Sequence, residues 1–353
     1  MDTPINTNST FTSNCNNPVK NEVGERSTIL RSRRSIKSIP SIQEVDCKYK
    51  SIILTFEKRA GWLTTSSLRN YKGFWLPEGL LPGTMVMEET FQSHPGDVIV
   101  ASFPKSGTTW LKALTFTILH RNKYALSSHP LLKLNPHDCV RITEHSYATQ
   151  DEQYLETLPS PRILGTHLPY SILPESITTS RCPIIYICRE PKDVIVSLWH
   201  MITRYEGFNK SFPFTKAFEL FCDGEMPFGP VWDHVSEYYM NSLHPCAKIL
   251  FLKYEEMMKD PVNGVMKVAN FIGCPFSEEE IKNGLVEEIV EFCSFNKLKD
   301  LDVNKTSGKG NVQNDYLFRK AVVGDWQNHM TPEMAIKLDN ITKEKLHNSG
   351  FTY

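Results

Sequence analysis

Asp97-Val98-Ile99-Val100-Ala101-Ser102-Phe103, then Pro104-Lys105-Ser106-Gly107, then Thr108-Thr109-Trp110-Leu111-Lys112-Ala113-Leu114 reads as strand, turn and helix in that order. The first segment is a short apolar run, which suits a strand buried on both faces. After the turn, Leu111, Leu114 and Ile118 fall on one helical stripe. A glycine-containing turn at a helix N-terminus points free backbone N–H groups at one spot, and such a spot attracts anions. Lys105 adds a charge beside it, Thr108 and Thr109 add hydroxyl donors, and Trp110 offers a flat face to an aromatic ring. The plainer reading is an ordinary connection with an exposed lysine. The nucleoside triphosphatase loop is excluded, because there a Gly-Lys-Ser/Thr follows an earlier glycine, whereas Lys105 precedes Gly107.

Outward from this segment, short β-rich runs alternate with amphipathic helical patterns from about Trp62 onward. Arg162 to Thr166, Pro183 to Cys188 and Ala247 to Lys253 are further candidate strands. A helix is expected from Pro191, since proline suits a first turn. Another is expected to place Ile281, Leu285, Ile289 and Phe292 together, and a last one starts at Thr331-Pro332 with Gly350 beyond its end. The alternation predicts one α/β domain over 62–353 with a central parallel sheet flanked by helices. The stretch from Lys299 to Phe318, with Gly308 and Gly310, is too long for a simple connection and is a candidate lid or binding loop.

Residues 1–45 are rich in Asn, Ser and Thr and are expected to be a disordered tail. Arg31, Arg33, Arg34 and Lys37 interleave with serines as in a transit peptide; Asp2, Glu22 and Glu25 argue against that. Across 353 residues, 39 Lys and Arg balance 40 Asp and Glu, so no global field favours a nucleic acid or an anionic membrane. Nine cysteines, scattered and without a Cys-x-x-Cys pair, suit reduced thiols in the cytoplasm. No apolar run approaches the roughly 18 residues of a membrane span.

Other strand ends refine the anion reading. The run from Pro183 ends in Arg189, and the run ending at Lys253 is followed by Tyr254, Glu255 and Glu256. A kinase-like site needs magnesium held by an acid at a second strand end. A cationic strand end instead suits a second anion on the same ligand, and a sulfuryl group, less charged than a terminal phosphate, can be handled by a lysine and oriented dipoles without a metal.

These residues resemble a known family. Phe103-Pro104-Lys105-Ser106-Gly107-Thr108-Thr109-Trp110 is similar to the donor-binding loop of cytosolic sulfotransferases. Gly165-Thr166-His167-Leu168-Pro169-Tyr170, Arg189-Glu190-Pro191-Lys192-Asp193 with Ser197, Lys253-Tyr254-Glu255-Glu256, and Arg319-Lys320-Ala321-Val322-Val323-Gly324-Asp325-Trp326 follow in the family's order, from about Tyr71 to the C-terminus. The segments YKGFW, FGPVWDH and SLWH look like its plant branch, which sulfates flavonols, brassinosteroids and hydroxyjasmonate. The resemblance implies a P-loop-kinase-like sulfotransferase fold and transfer of a sulfuryl group from 3′-phosphoadenosine-5′-phosphosulfate (PAPS) to a hydroxyl of a small, partly apolar acceptor.

It further implies that Lys105, Ser106, Gly107, Thr108, Thr109 and Trp110 hold the 5′-phosphosulfate and stack the adenine. Arg189, Ser197, Arg319, Lys320 and the backbone at Ala321 would take the 3′-phosphate. Tyr254, with Phe295, would line the adenine pocket. His167 would be the general base and Lys105 would stabilise the leaving group. The chemistry suits the roles, since an imidazole near neutrality can take a hydroxyl proton as the new bond forms. The resemblance implies no metal. A metal-dependent kinase-like phosphotransferase and a non-catalytic nucleotide-binding relative are the alternatives, although retention of both Lys105 and His167 speaks against the second.

Three departures matter. Ala321 stands where the family has glycine, which is costly if the backbone there has positive φ. Gly165 stands where animal members often carry lysine. The stretch Gln327 to Ala335 lacks the animal dimerisation pattern, so a monomer is expected.

Overall fold

Ahead of the main sheet lies a small one that the sequence pattern does not announce: β1 (Lys58–Arg59), β2 (Leu68–Tyr71) and β3 (Phe74–Pro77), antiparallel in that order. Strands of two to four residues are too short to show a period. Their strongest signal is the turn, because Lys72 at φ 51° and Gly73 at φ 89° supply the two left-handed positions of a tight hairpin.

This computed structural model describes residues 42–60, 62, 66–204, 211–305 and 314–353. The anticipated tail lies outside the described residues as far as position 41. A helix, Ile42–Thr55, follows, ahead of the expected domain start at Trp62, and buries Tyr49 and Ile53 in the same core as Trp62.

The main sheet is parallel, with β4 (Val98–Ser102), β5 (Ile163–Thr166), β6 (Ile184–Cys188) and β7 (Ile249–Lys253) in the order β5-β4-β6-β7. Each anticipated strand is present, trimmed by one or two residues at its start, and the first of them by one at its end as well. Every residue of β4, β5 and β6 is buried, as their unbroken apolar runs require. Side chains alternate between two cores: Ile99, Ala101, Leu164 and Tyr186 face one, while Val98, Val100, Ile163 and Ile185 face the other. At about 1.5–3 kcal/mol for each large aliphatic side chain removed from water, these two layers dominate the stability of the fold. The buried pair Arg162–Asp97, joined at 2.8 and 2.6 Å, ties the starts of β5 and β4 together.

The helices Thr108–His120 and Pro191–Arg204 begin where expected. The last helix is Pro332–Leu346, capped by the Thr331 hydroxyl, with Gly350 left-handed four residues past its end. The helix expected to unite Ile281, Leu285, Ile289 and Phe292 is instead two, Glu278–Lys282 and Leu285–Phe292, broken at Gly284 with φ 77°. The Lys299–Phe318 stretch is partly helical: Asp302–Lys305 is a turn of α-helix and Asn314–Leu317 a turn of 3-10 helix. Gly308 and Gly310 lie outside the described residues.

The chain leaves β4 for β5 on one side and then returns to β6 on the other. The crevice at the C-terminal ends of β4, β5 and β6 is therefore a topological switch point, where open α/β sheets bind ligands. Among the described residues no helix is long and apolar enough to cross a membrane.

Candidate active site

The turn after β4 is built on two left-handed residues, Lys105 at φ 69° and Gly107 at φ 106°. Ser106 N–H donates to the Phe103 carbonyl at 3.2 Å and closes the turn. Gly107 is the residue before the Thr108–His120 helix. A methyl group on it would stand 2.7 Å from the Tyr254 ring, so glycine is required for close approach as well as for φ. The first helical N–H groups thus open toward the crevice. Behind them the Ser102 and Thr108 hydroxyls bond at 2.6 Å and fix the loop to its strand.

Cations converge on this spot. The Lys105 amine is brought down to about 8, first by burial and then by Arg189 and Arg319. Arg189, 6% exposed, leads from β6; it donates to the Val322 carbonyl at 3.0 Å and lies 4.7 Å from the Tyr254 ring centre. Its Nε is buried without a hydrogen-bond partner. A buried guanidinium N–H left unpaired beside a lysine whose charge is resisted is what an absent anion would satisfy. Trp110 and Tyr254 meet edge to face at 5.9 Å, forming one wall with Gly107.

The 319–326 segment departs from the simplest expectation. Arg319 and Lys320 both pair with the Asp325 carboxylate, Lys320 at 2.9 Å. Burial pushes this carboxyl up, yet the bonds from Lys320, Arg319 and Asn328 outweigh it and hold it far below the ordinary range. Ala321 does adopt positive φ, 54°, the costly case for a non-glycine residue. The segment is pinned by Asp193, fully buried, which accepts Gly324 N–H at 2.7 Å and Trp326 N–H at 3.0 Å. Ser197 lies on the Pro191–Arg204 helix, buried, and no hydrogen bond joins it to Lys105. The Phe295 ring lies 6.1 Å from that of Phe318 and packs against the same core as Tyr254.

His167 follows directly on β5. Its Nδ1 is 2.8 Å from the Ser102 carbonyl, which only accepts, so Nδ1 carries the proton and Nε2 keeps its lone pair. Burial lowers the imidazole to about 3, so it rests neutral. Glu144, wholly buried, accepts His167 N–H at 2.7 Å and the Thr166 hydroxyl at 3.0 Å. His234 donates from Nε2 to the His167 carbonyl at 2.9 Å, and its Nδ1 accepts from the Tyr186 hydroxyl at 2.9 Å.

Comparison with known proteins gives the family. The family model described as "Sulfotransferase domain" matches residues 95–350. The chain belongs to the sulfotransferase family. Cytosolic sulfotransferase 5 of Arabidopsis thaliana is 43% identical over 297 residues, 82% of this chain and 92% of its own length. Flavonol 3-sulfotransferase of Flaveria bidentis is 43% identical over 290 residues, 80% and 92% of the two chains. Among solved structures, a putative steroid sulphotransferase of Arabidopsis thaliana has a TM-score of 0.70 at 34% identity, covering 90% of this chain and all of that one (100%). A mouse sulfotransferase complexed with PAP has a TM-score of 0.64 at 28% identity, covering 80% and 95%.

This sulfotransferase therefore brings Lys105, Ser106, Gly107, Thr108, Trp110, Arg189 and Tyr254 into one neighbourhood, with His167 anchored to the same strand end through Ser102. Asp193 and His234 fall inside the quoted segments REPKD and FGPVWDH without being given a role there, and Glu144 lies outside every quoted motif. Among the described residues no group of three or more His, Cys, Asp or Glu side chains is placed to hold a metal ion.

Proposed function

We propose that this enzyme transfers the sulfuryl group of PAPS to a hydroxyl of a small, partly apolar acceptor of flavonoid, steroid or hydroxyjasmonate type. The observation that carries the proposal is the pairing of His167 Nδ1 with the Ser102 carbonyl, which leaves a neutral imidazole with a bare Nε2 at the end of the strand that supplies the anion loop.

PAPS supplies the activated sulfuryl group and leaves as adenosine 3′,5′-bisphosphate. The residues present fit it: Lys105, Ser106, Gly107, Thr108 and Thr109 surround the 5′ end, and Trp110 and Tyr254 offer the adenine wall. Arg189, Ser197, Arg319, Lys320 and the backbone at Ala321 would take the 3′-phosphate, which would compete with Asp325 for Arg319 and Lys320. His167 Nε2 receives the acceptor hydroxyl's proton as the nucleophile forms. Lys105 meets the charge that grows on the leaving phosphate oxygen, an interaction stronger in the transition state than in the ground state. An anion restores its full protonation, because opposite charge raises the affinity of a depressed amine for its proton. No metal enters this account. We further propose a monomeric enzyme of the cytoplasm, with a domain that takes in the Ile42–Thr55 helix ahead of Trp62.

A panel of flavonols, hydroxysteroids and hydroxyjasmonate, incubated with sulfur-labelled PAPS and a metal chelator, tests the reading. Label should appear on at least one hydroxyl acceptor. Transfer that occurs only from ATP with magnesium would place the enzyme with the phosphotransferases instead.

A further inference from the structure

Lys112 is completely buried, 0% exposed, and has no part in the chemistry assigned above. A buried amine costs several kcal/mol unless something answers it. Its Nζ stands 3.1 Å from His137 Nδ1, and His137 Nε2 stands 2.9 Å from the Thr109 hydroxyl. Thr109 lies one helical turn before Lys112, so the chain of contacts leaves the helix, passes through His137 and returns to the helix start. The space for it is made by Gly165 of β5: a methyl group there would stand 2.7 Å from Lys112 Cε and 2.9 Å from Nζ. His137 is itself held, since Asn135 accepts its N–H at 2.8 Å and bonds Asn304 at 2.7 Å.

The directions of these bonds follow from the groups. Burial brings the Lys112 amine down to about 7, and below that pH it is an ammonium, which only donates, so His137 Nδ1 accepts. Burial, and then Lys112, push the imidazole well below its ordinary pKa, so it is neutral and its one proton sits on Nε2. That proton goes to the Thr109 oxygen. Thr109 must then send its own proton away from His137, and the residue is half-buried in the first turn of the helix, at the anion site.

We infer that Lys112, acting through His137, fixes the Thr109 hydroxyl as a hydrogen-bond donor to the 5′-phosphate end of the nucleotide. Lys112 is thus a positioning residue. Without the amine, either nitrogen of His137 can carry the proton, and Thr109 is free to spend its hydrogen on the imidazole. This inference rests on the proposed placement of the nucleotide at the helix start.

Calorimetric titration of the full chain with adenosine 3′,5′-bisphosphate, at about pH 6 where the Lys112 amine is protonated, tests it. Lys112→Met and Thr109→Val should each weaken binding about tenfold, the value of about 1.4 kcal/mol for a hydrogen bond to a charged oxygen. The double variant should bind no more weakly than Thr109→Val alone. Gly165→Ala, which displaces the amine without removing it, should weaken binding in the same sense and add nothing in the Thr109→Val background; it decides the matter if Lys112→Met does not fold. Wild-type affinity in a folded Lys112→Met, or losses that add in the double variant, overturn the inference in favour of a purely structural lysine. Absence of bisphosphate binding by the wild type overturns the nucleotide placement itself.

Discussion

At Ala321 the sequence and the backbone disagree. The residue holds φ 54°, which costs a non-glycine residue about 1–2 kcal/mol, beside carbonyls and amides that hold Arg189 and the Asp193 carboxylate. Ala321→Gly should leave bisphosphate affinity unchanged or tighten it in a calorimetric titration; weaker binding would show that the alanine methyl makes a contact of its own. Residues of this kind were legible in sequence because they occur in contiguous motifs: Lys105 precedes a glycine, and His167 precedes a proline two places on. Glu144, His137 and Lys112 were not. Their roles come from segments brought together across 23 and 25 positions of chain, and no local pattern records that meeting.

Among elements, the parallel strands were the most legible, because burial on both faces leaves an unbroken apolar run that needs no knowledge of neighbours. The broken helix was not, since Ile281, Leu285 and Ile289 keep helical spacing while Gly284 turns the backbone to φ 77° between them. The antiparallel hairpin was missed for lack of length. The starts of β4 and β5 depend on Arg162–Asp97, both buried and far from the crevice along the strands. Removing one partner strands a buried charge, so Arg162→Ala should lower unfolding free energy by about 3–5 kcal/mol in urea titration. Bisphosphate affinity at the opposite strand ends should stay within about twofold; a large loss of binding in the folded variant would mean that this pair communicates with the site.

The molecule as a whole hides neutral imidazoles. His129 and His234 are lowered to about 4 by burial, and His167 to about 3, against an ordinary 6.5. Depressed folded-state values mean that, as pH falls below about 6.5, the unfolded chain binds protons that the folded chain refuses. The imidazole contribution is therefore full above that pH and lost on acidification, at up to about 1.4 kcal/mol per pH unit for each group. Glu144, raised by burial, works in the opposite sense and offsets part of the loss. The urea midpoint should be lower at pH 5.5 than at pH 7.5; an equal or higher midpoint would show that the carboxyls win.

One side chain, His167, separates binding from transfer in the proposed mechanism. Single-turnover transfer of labelled sulfuryl to the acceptor found in the panel, measured for wild type and His167→Ala beside their affinities for adenosine 3′,5′-bisphosphate, addresses it directly. His167→Ala should bind the bisphosphate within about twofold of wild type and transfer at least about a hundredfold more slowly. Full transfer activity in His167→Ala would contradict it.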